Sequence, residues 1–155
     1  METAALDSID RRILRELQGN ARLTNQELSE RVGLSPSPCL RRLRQLEADG
    51  IIRGYTAALD EEKLGLPVAI FMSVKLERQI DSALSVFEAE IRKHPQIVDC
   101  WLMTGENDYL LRILARDLKE YETFLTGVFT KVPGIASIQS SVSLRRVKAA
   151  QPRVP

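Results

Sequence analysis

The chain has 155 residues, room for one mid-sized domain or two small ones, and its 44% apolar and 28% charged residues are an ordinary globular balance. A net charge of +1 excludes a globally basic nucleic-acid binder, so any basic patch must be local. One histidine, His94, and two distant cysteines, Cys39 and Cys100, argue for no metal, no cofactor and no disulfide; two reduced, buried thiols are expected.

The first element is a helix capped by Asp7 or Ser8, with Ile9, Ile13, Leu14 and Leu17 at helical spacing, ended by Gly19-Asn20. Thr24 caps a short second helix carrying Leu28 and Val32, and Glu27 stands where a capping box needs it. Gly33 breaks that helix. Ser35 then caps a third, with Pro36 at its first position, running to about Ala48 and stopping at Gly50. Ile51 to Leu59, β-branched and aromatic, reads as an extended linker strand, and Asp60 to Lys63 as a polar junction.

Beyond Gly65 the periodicity changes. Val68 to Leu76 predicts a strand, and Asp81 to Lys93 a helix with Leu84, Phe87 and Ile91 on one stripe, stopped by His94-Pro95. Ile97 to Thr104 and Tyr109 to Ala115 predict strands joined by the turn Gly105 to Asp108. Asp117 caps a last helix with Leu118, Tyr121, Phe124, Leu125 and Val128 on one face, and Pro133-Gly134 leads into a strand from Ile135 to about Leu144. The order β-α-β-β-α-β is the ferredoxin-like plan, so the chain is expected to be α+β: residues 1–59 a helix-turn-helix with its linker strand, 60–147 the ferredoxin-like domain, 148–155 a flexible tail. Strands apolar on both faces predict a second subunit over the open side of the sheet. With no leader-like segment at the start and no apolar run near about 18 residues, no membrane span is expected.

The segment from Asn25 to Ala48 has the helix, Gly-containing turn and helix of a DNA-binding helix-turn-helix. On a helical wheel of its second member, Leu40, Leu43 and Leu46, with Cys39 beside them, face inward. Ser37, Pro38, Arg41, Arg44 and Gln45 face outward, with Arg42 at the boundary, and Ser35 opens the helix. Between Arg31 and Gln45 lie four arginines and no acid. Arginine suits both guanine edges and phosphates, and a helix N-terminus adds positive potential. An arginine cluster alone also fits a merely solvated face; the turn and the Ser-Pro start tilt the reading to DNA.

These residues form a familiar set. Leu6-Asp7-x-x-Asp10-Arg11-x-Ile13-Leu14, Val32 to Leu40 followed by Arg42, and Gly50-Ile51-Ile52-x-Gly54-Tyr55 resemble the Lrp/AsnC (leucine-responsive/asparagine-responsive, feast/famine) transcriptional regulators. Met103 to Leu111 resembles the hairpin motif of that family's effector domain, and Val132-Pro133-Gly134-Ile135 the entry to its last strand. The resemblance covers nearly the whole chain. It implies a winged-type helix-turn-helix, dimers formed through the C-terminal sheets, higher assemblies such as octamers, double-stranded DNA as partner and a small amino-acid effector bound between dimers. The affinity to the leucine-responsive branch points to an aliphatic amino acid. Carried over, the effector site falls on Thr104, Gly105, Asn107 and Asp108, joined by Gln139, Ser140 or Ser141 of a neighbouring subunit. Chemistry agrees: a glycine turn can offer amides to a carboxylate, and Asp108 an acceptor to an ammonium. The residues alone allow a plain hairpin in which Asp108 caps its own backbone.

Other functions fit less of the chain. No nucleophile-and-base pattern, phosphate loop or metal spacing marks an enzyme. An amino-acid-sensing subunit of a metabolic enzyme would leave the arginine-bearing helix idle. A nucleoid-type architectural protein overlaps with the favoured reading and differs by low sequence preference. The reading is a cytoplasmic, effector-responsive transcription regulator of amino-acid metabolism.

Overall fold

The computed structural model describes residues 6–148 and Val154. The chain forms two compact units, one reaching to Ala58 and the other spanning Leu59–Val147. The expected tail, 148–155, lies outside the described residues apart from Lys148 and Val154.

The first unit consists of α1 (Ser8–Gly19), α2 (Asn25–Val32) and α3 (Pro36–Ala48). Asp7 caps α1: its carboxylate accepts from the amides of Ile9 and Asp10, and Asp10 accepts in return from the amide of Asp7. Thr24 and Glu27 form the same reciprocal box on α2, which Gly33 ends with a left-handed φ of 73°. Ser35 occupies the N-cap of α3 but makes no side-chain cap bond, so Pro36, with its preset φ, carries the start of that helix. Ile13, Leu17, Leu28, Val32, Cys39 and Leu46 are buried together, with Ile9, Leu14, Leu43, Ile51 and Ile52 packed around them. Leu40 was expected among them and is only half-buried, outside this core. At about 100° per residue, Cys39, Leu43 and Leu46 share a narrow stripe, while Leu40 is a full step away from Cys39.

The linker differs from expectation. No strand forms between residues 51 and 67. The amides of Ile51 and Ile52 both donate to the carbonyl of Leu46, at 3.0 Å each, folding the chain back onto the end of α3. A strand needs a neighbour for its ladder, and none is paired with this stretch.

The second unit contains β1 (Val68–Leu76), α4 (Asp81–Ile91), β2 (Ile97–Leu102), β3 (Tyr109–Ala115), α5 (Leu118–Gly127) and β4 (Ile135–Val142). All pairings are antiparallel, in the order β2-β3-β1-β4, which is the ferredoxin-like arrangement. α4, β2 and β4 each stop about two residues short of the spacing-based bounds, an ordinary fraying of ends. A short 3-10 turn, Phe129–Lys131, follows α5 and buries Phe129. Ile70, Met72 and Val74 of β1 and Tyr109, Leu111 and Ile113 of β3 pack under Phe87, Ile91, Tyr121, Phe124 and Phe129.

The other sheet face is mixed. Phe71 and Trp101 are 37% and 45% exposed, and Leu110 beside Trp101 is half-buried. Among them Arg112 donates from Nε to Asp99 and from Nη1 to Glu61, both at 2.8 Å. Arg112 holds the Glu61 carboxyl below the usual carboxylate range. Both cysteines are free; Cys39 is buried as expected, but Cys100 is exposed because β2 is an edge strand with a neighbour on one side only. Among the described residues no helix is long and apolar enough to cross a membrane, and no acid, histidine or cysteine cluster could hold a metal.

Candidate nucleic-acid interface and effector site

Burial of Cys39 and Leu46, with Leu43 packed beside them, turns the opposite face of α3 to solvent. Ser37, Arg41, Arg44 and Gln45 line one open surface there, with Leu40 and Ala48 between them. Arg41 and Arg44 are exposed and form no ion pair among the described residues. Gln45 donates to Asp49 at 2.7 Å, a solvent-exposed bond within one helical turn. Ser35 is exposed at the helix start, and Pro38 is half-buried on the flank.

Arg42 does not belong to this surface. Its Nη1 donates to Asp7 at 2.6 Å and to Asp10 at 2.9 Å, fastening α3 to the start of α1. A guanidinium held by two carboxylates has little positive field left for a phosphate, which removes Arg42 from the DNA-facing group. The Asp10 amide, and after it Arg42, hold the Asp7 carboxyl below its ordinary range. Arg31 is likewise engaged, with Glu16 at 3.0 Å. Of the four arginines in the acid-free run, two therefore stitch the unit together and two face outward. At the far end of α3, Tyr55 donates to Glu47 at 2.9 Å; burial first, then that carboxylate, pushes its phenol up to about 12.

In the second unit the β2–β3 hairpin brings Thr104, Gly105, Asn107 and Asp108 together. Thr104 and Gly105 are exposed, and Gly105 takes a φ of +119°, which disfavours any side chain. Asp108 is not the free acceptor its motif implies: it is 5% exposed and both oxygens are occupied. Oδ2 accepts from the Leu76 amide at 2.7 Å and Oδ1 from Gln79 Nε2 at 2.6 Å. Its own amide donates to Val74 at 2.9 Å, and its carbonyl accepts from Met103 at 2.8 Å. Asp108 thus locks the hairpin to the end of β1. Gln79, from the loop before α4, escaped sequence reasoning because no local pattern links it to a residue so far along the chain.

The residues expected from β4 do not form one set. Gln139 and Ser141 pair with Ser73 and Phe71 on the open sheet face, whereas Ser140 points toward the helices, 2.5 Å from the Tyr121 hydroxyl. Strand alternation forces this split, so Ser140 cannot share a surface with the other two. β4 also lies beyond β1 from the hairpin-bearing β3.

Residues 69–152 match the Lrp/AsnC ligand binding domain, and residues 6–53 a winged helix-turn-helix DNA-binding domain. The chain belongs to the Lrp/AsnC family. This Lrp/AsnC protein is a DNA-binding transcriptional regulator and not an enzyme. It is 46% identical over 144 residues to the Bkd operon transcriptional regulator of Pseudomonas aeruginosa, covering 93% of this chain and 94% of that one. The leucine-responsive regulatory protein of Escherichia coli is 40% identical over 143 residues, 92% and 87% of the two chains. Among solved structures, a transcriptional regulator of Neisseria meningitidis in complex with L-Met superimposes with a TM-score of 0.89 at 44% identity, covering 94% of each chain. An AsnC family regulator of Agrobacterium tumefaciens gives a TM-score of 0.90 at 32% identity over 96% of each. The two Lrp/AsnC domains coincide with the arginine-bearing α3 and with the hairpin-bearing sheet.

Proposed function

We propose that this Lrp/AsnC regulator reads double-stranded DNA with the Ser37, Arg41, Arg44 and Gln45 face of α3, helped by Ser35 and Pro38 at its start. A small amino acid at the hairpin of Thr104, Gly105, Asn107 and Asp108 then modulates it. The observation that carries the first part is that Arg41 and Arg44 project, unpaired, from one open helix face while the neighbouring Arg31 and Arg42 are engaged. Residues 1–59 act as the reading head and 60–147 as the effector and assembly domain. An aliphatic amino acid is the effector class, supported by the L-Met bound to the Neisseria relative. Gln139 and Ser141 are the β4 residues that serve a neighbouring subunit in this reading, which their position on the open face supports. Phe71, Trp101 and Leu110 on that same face support pairing of sheets into a dimer, the unit of a larger assembly such as an octamer. The protein works in the cytoplasm on genes of amino-acid metabolism.

Arg41→Ala and Arg44→Ala test the reading head on specific and random duplexes at two salt concentrations. Arg41, midway along the face, is expected to lose about 1–3 kcal/mol per half-site and relax sequence preference. Arg44 is expected to weaken both duplexes alike and to lower the salt slope by about one unit per half-site. If both variants bind every duplex as the parent does, α3 does not read DNA.

A further inference from the structure

We propose that Gln79 stands, in the free protein, where the ammonium of an α-amino acid would sit on Asp108, and so sets the affinity and selectivity of the effector site for protonated amines. This rests on the reading that the 104–108 hairpin binds an amino acid.

Asp108 is a buried carboxylate without a cation. Its two donors, the Leu76 amide and the Gln79 carboxamide, are both neutral, and it forms no ion pair among the described residues. Buried carboxylates are ordinarily paired with a positive group, because neutral donors compensate lost hydration less fully. The site is one positive charge short.

The two oxygens are not equivalent. Leu76 is 4% exposed, and its backbone is held on both sides, by the Val74 carbonyl that accepts from the Asp108 amide and by the Glu77 amide that donates to Gly134, so the donor to Oδ2 is fixed. Gln79 is an exposed residue in the loop between β1 and α4, and only its terminal amide reaches inward. Rotation of that side chain frees Oδ1 and disturbs nothing buried. An incoming ammonium exchanges a neutral hydrogen bond for a charge-assisted one while Leu76 keeps Oδ2 in place. A ligand without an ammonium cannot repay the loss of Gln79, so the exchange selects amino acids against their 2-hydroxy counterparts.

Gln79 is then a competitor as well as a support, which gives its variants opposite signs. In Gln79→Ala the competitor is gone. In Gln79→Lys a resident ammonium reaches toward Asp108 and mimics the ligand. Calorimetric titration of the full chain with L-methionine, L-leucine and 2-hydroxy-4-methylpentanoate reads both, with melting curves to confirm folding. The parent should bind an amino acid and not the hydroxy acid. Gln79→Ala should bind that amino acid about 3- to 10-fold more tightly, the value of one partly exposed hydrogen bond to a charged acceptor. Gln79→Lys should bind at least about 10-fold more weakly and melt no lower than the parent. A merely structural Gln79 predicts weaker binding in the alanine variant and near-normal binding in the lysine variant, and either result overturns the proposal. Equal binding of the hydroxy acid overturns it too. If the parent binds no amino acid, the hairpin reading fails and this inference with it; parental binding with unchanged variants removes the role of Gln79 alone.

Discussion

Replacing Asp108 by alanine is expected to destabilise the second unit before any ligand is considered. The substitution strands the Leu76 amide at a buried strand end and frees the Gln79 amide to water. An orphaned buried N–H costs about 1–3 kcal/mol, and the lost bond to a carboxylate raises the total to about 2–4 kcal/mol, with little from the exposed Gln79. For a unit of this size each kcal/mol moves the midpoint by about 4–8 °C, so a fall of about 10–25 °C is expected. Calorimetry on the full chain measures it, and hydrogen exchange localises it, because the Leu76 amide, which donates to the Asp108 carboxylate, should lose protection. Asp108→Asn retains an acceptor for Leu76 and should keep most of the stability. A fall below about 3 °C in the alanine variant, with Leu76 still protected, would refute the view that this carboxylate ties the hairpin to β1.

In the first unit, the Asp7 carboxyl lies below its ordinary value of 3.8, so its contribution is complete above that value and is lost as pH falls through the folded one. Asp7→Asn should therefore be less stable than the parent near neutrality, with the gap closing on acidification; melting curves with a constant gap down to about pH 2 would contradict this. Arg42→Ala should lower the melting midpoint yet leave the salt slope of DNA binding unchanged, since its charge is held by Asp7 and Asp10. Trp101→Glu together with Phe71→Glu should shift the light-scattering mass of the protein downward, and an unchanged mass would show that this face covers nothing.

Elements with a strong local signature were legible in the chain. The reciprocal pairs Asp7 with Asp10 and Thr24 with Glu27, the left-handed Gly33 and Pro36 at a first turn each mark a helix boundary by satisfying or avoiding an orphan backbone group. The apolar runs Val68 to Leu76 and Tyr109 to Ala115 gave β1 and β3 their observed bounds, because both are central strands, buried on the helix side. The linker was not legible in this way. Ile51 and Ile52 have strand composition, but an amide bonds the nearest good acceptor, and here that is the free carbonyl of Leu46 at the end of α3. Composition says what a stretch would do with a partner and not whether one is present.

The site was legible to the level of face and loop, and no further. Helical spacing put Arg41 and Arg44 outward because that depends only on the helix. The fate of Arg42 depends on Asp7 and Asp10, more than thirty residues away, which no periodicity connects to it. The hairpin motif located Asp108 but not its environment, since the donors to its buried carboxylate are Leu76 and Gln79, residues of a different strand and loop. Ser140 is the instructive case: strand alternation separates it from Gln139 and Ser141 and puts it on the helix side, while its partner Tyr121 is given only by the tertiary structure. A polar residue in a binding motif can therefore act in either of two ways, touching the ligand or holding the loop that does. Only tertiary hydrogen bonds separate the two, and those of Asp108, from the Leu76 amide and the Gln79 carboxamide, hold the loop.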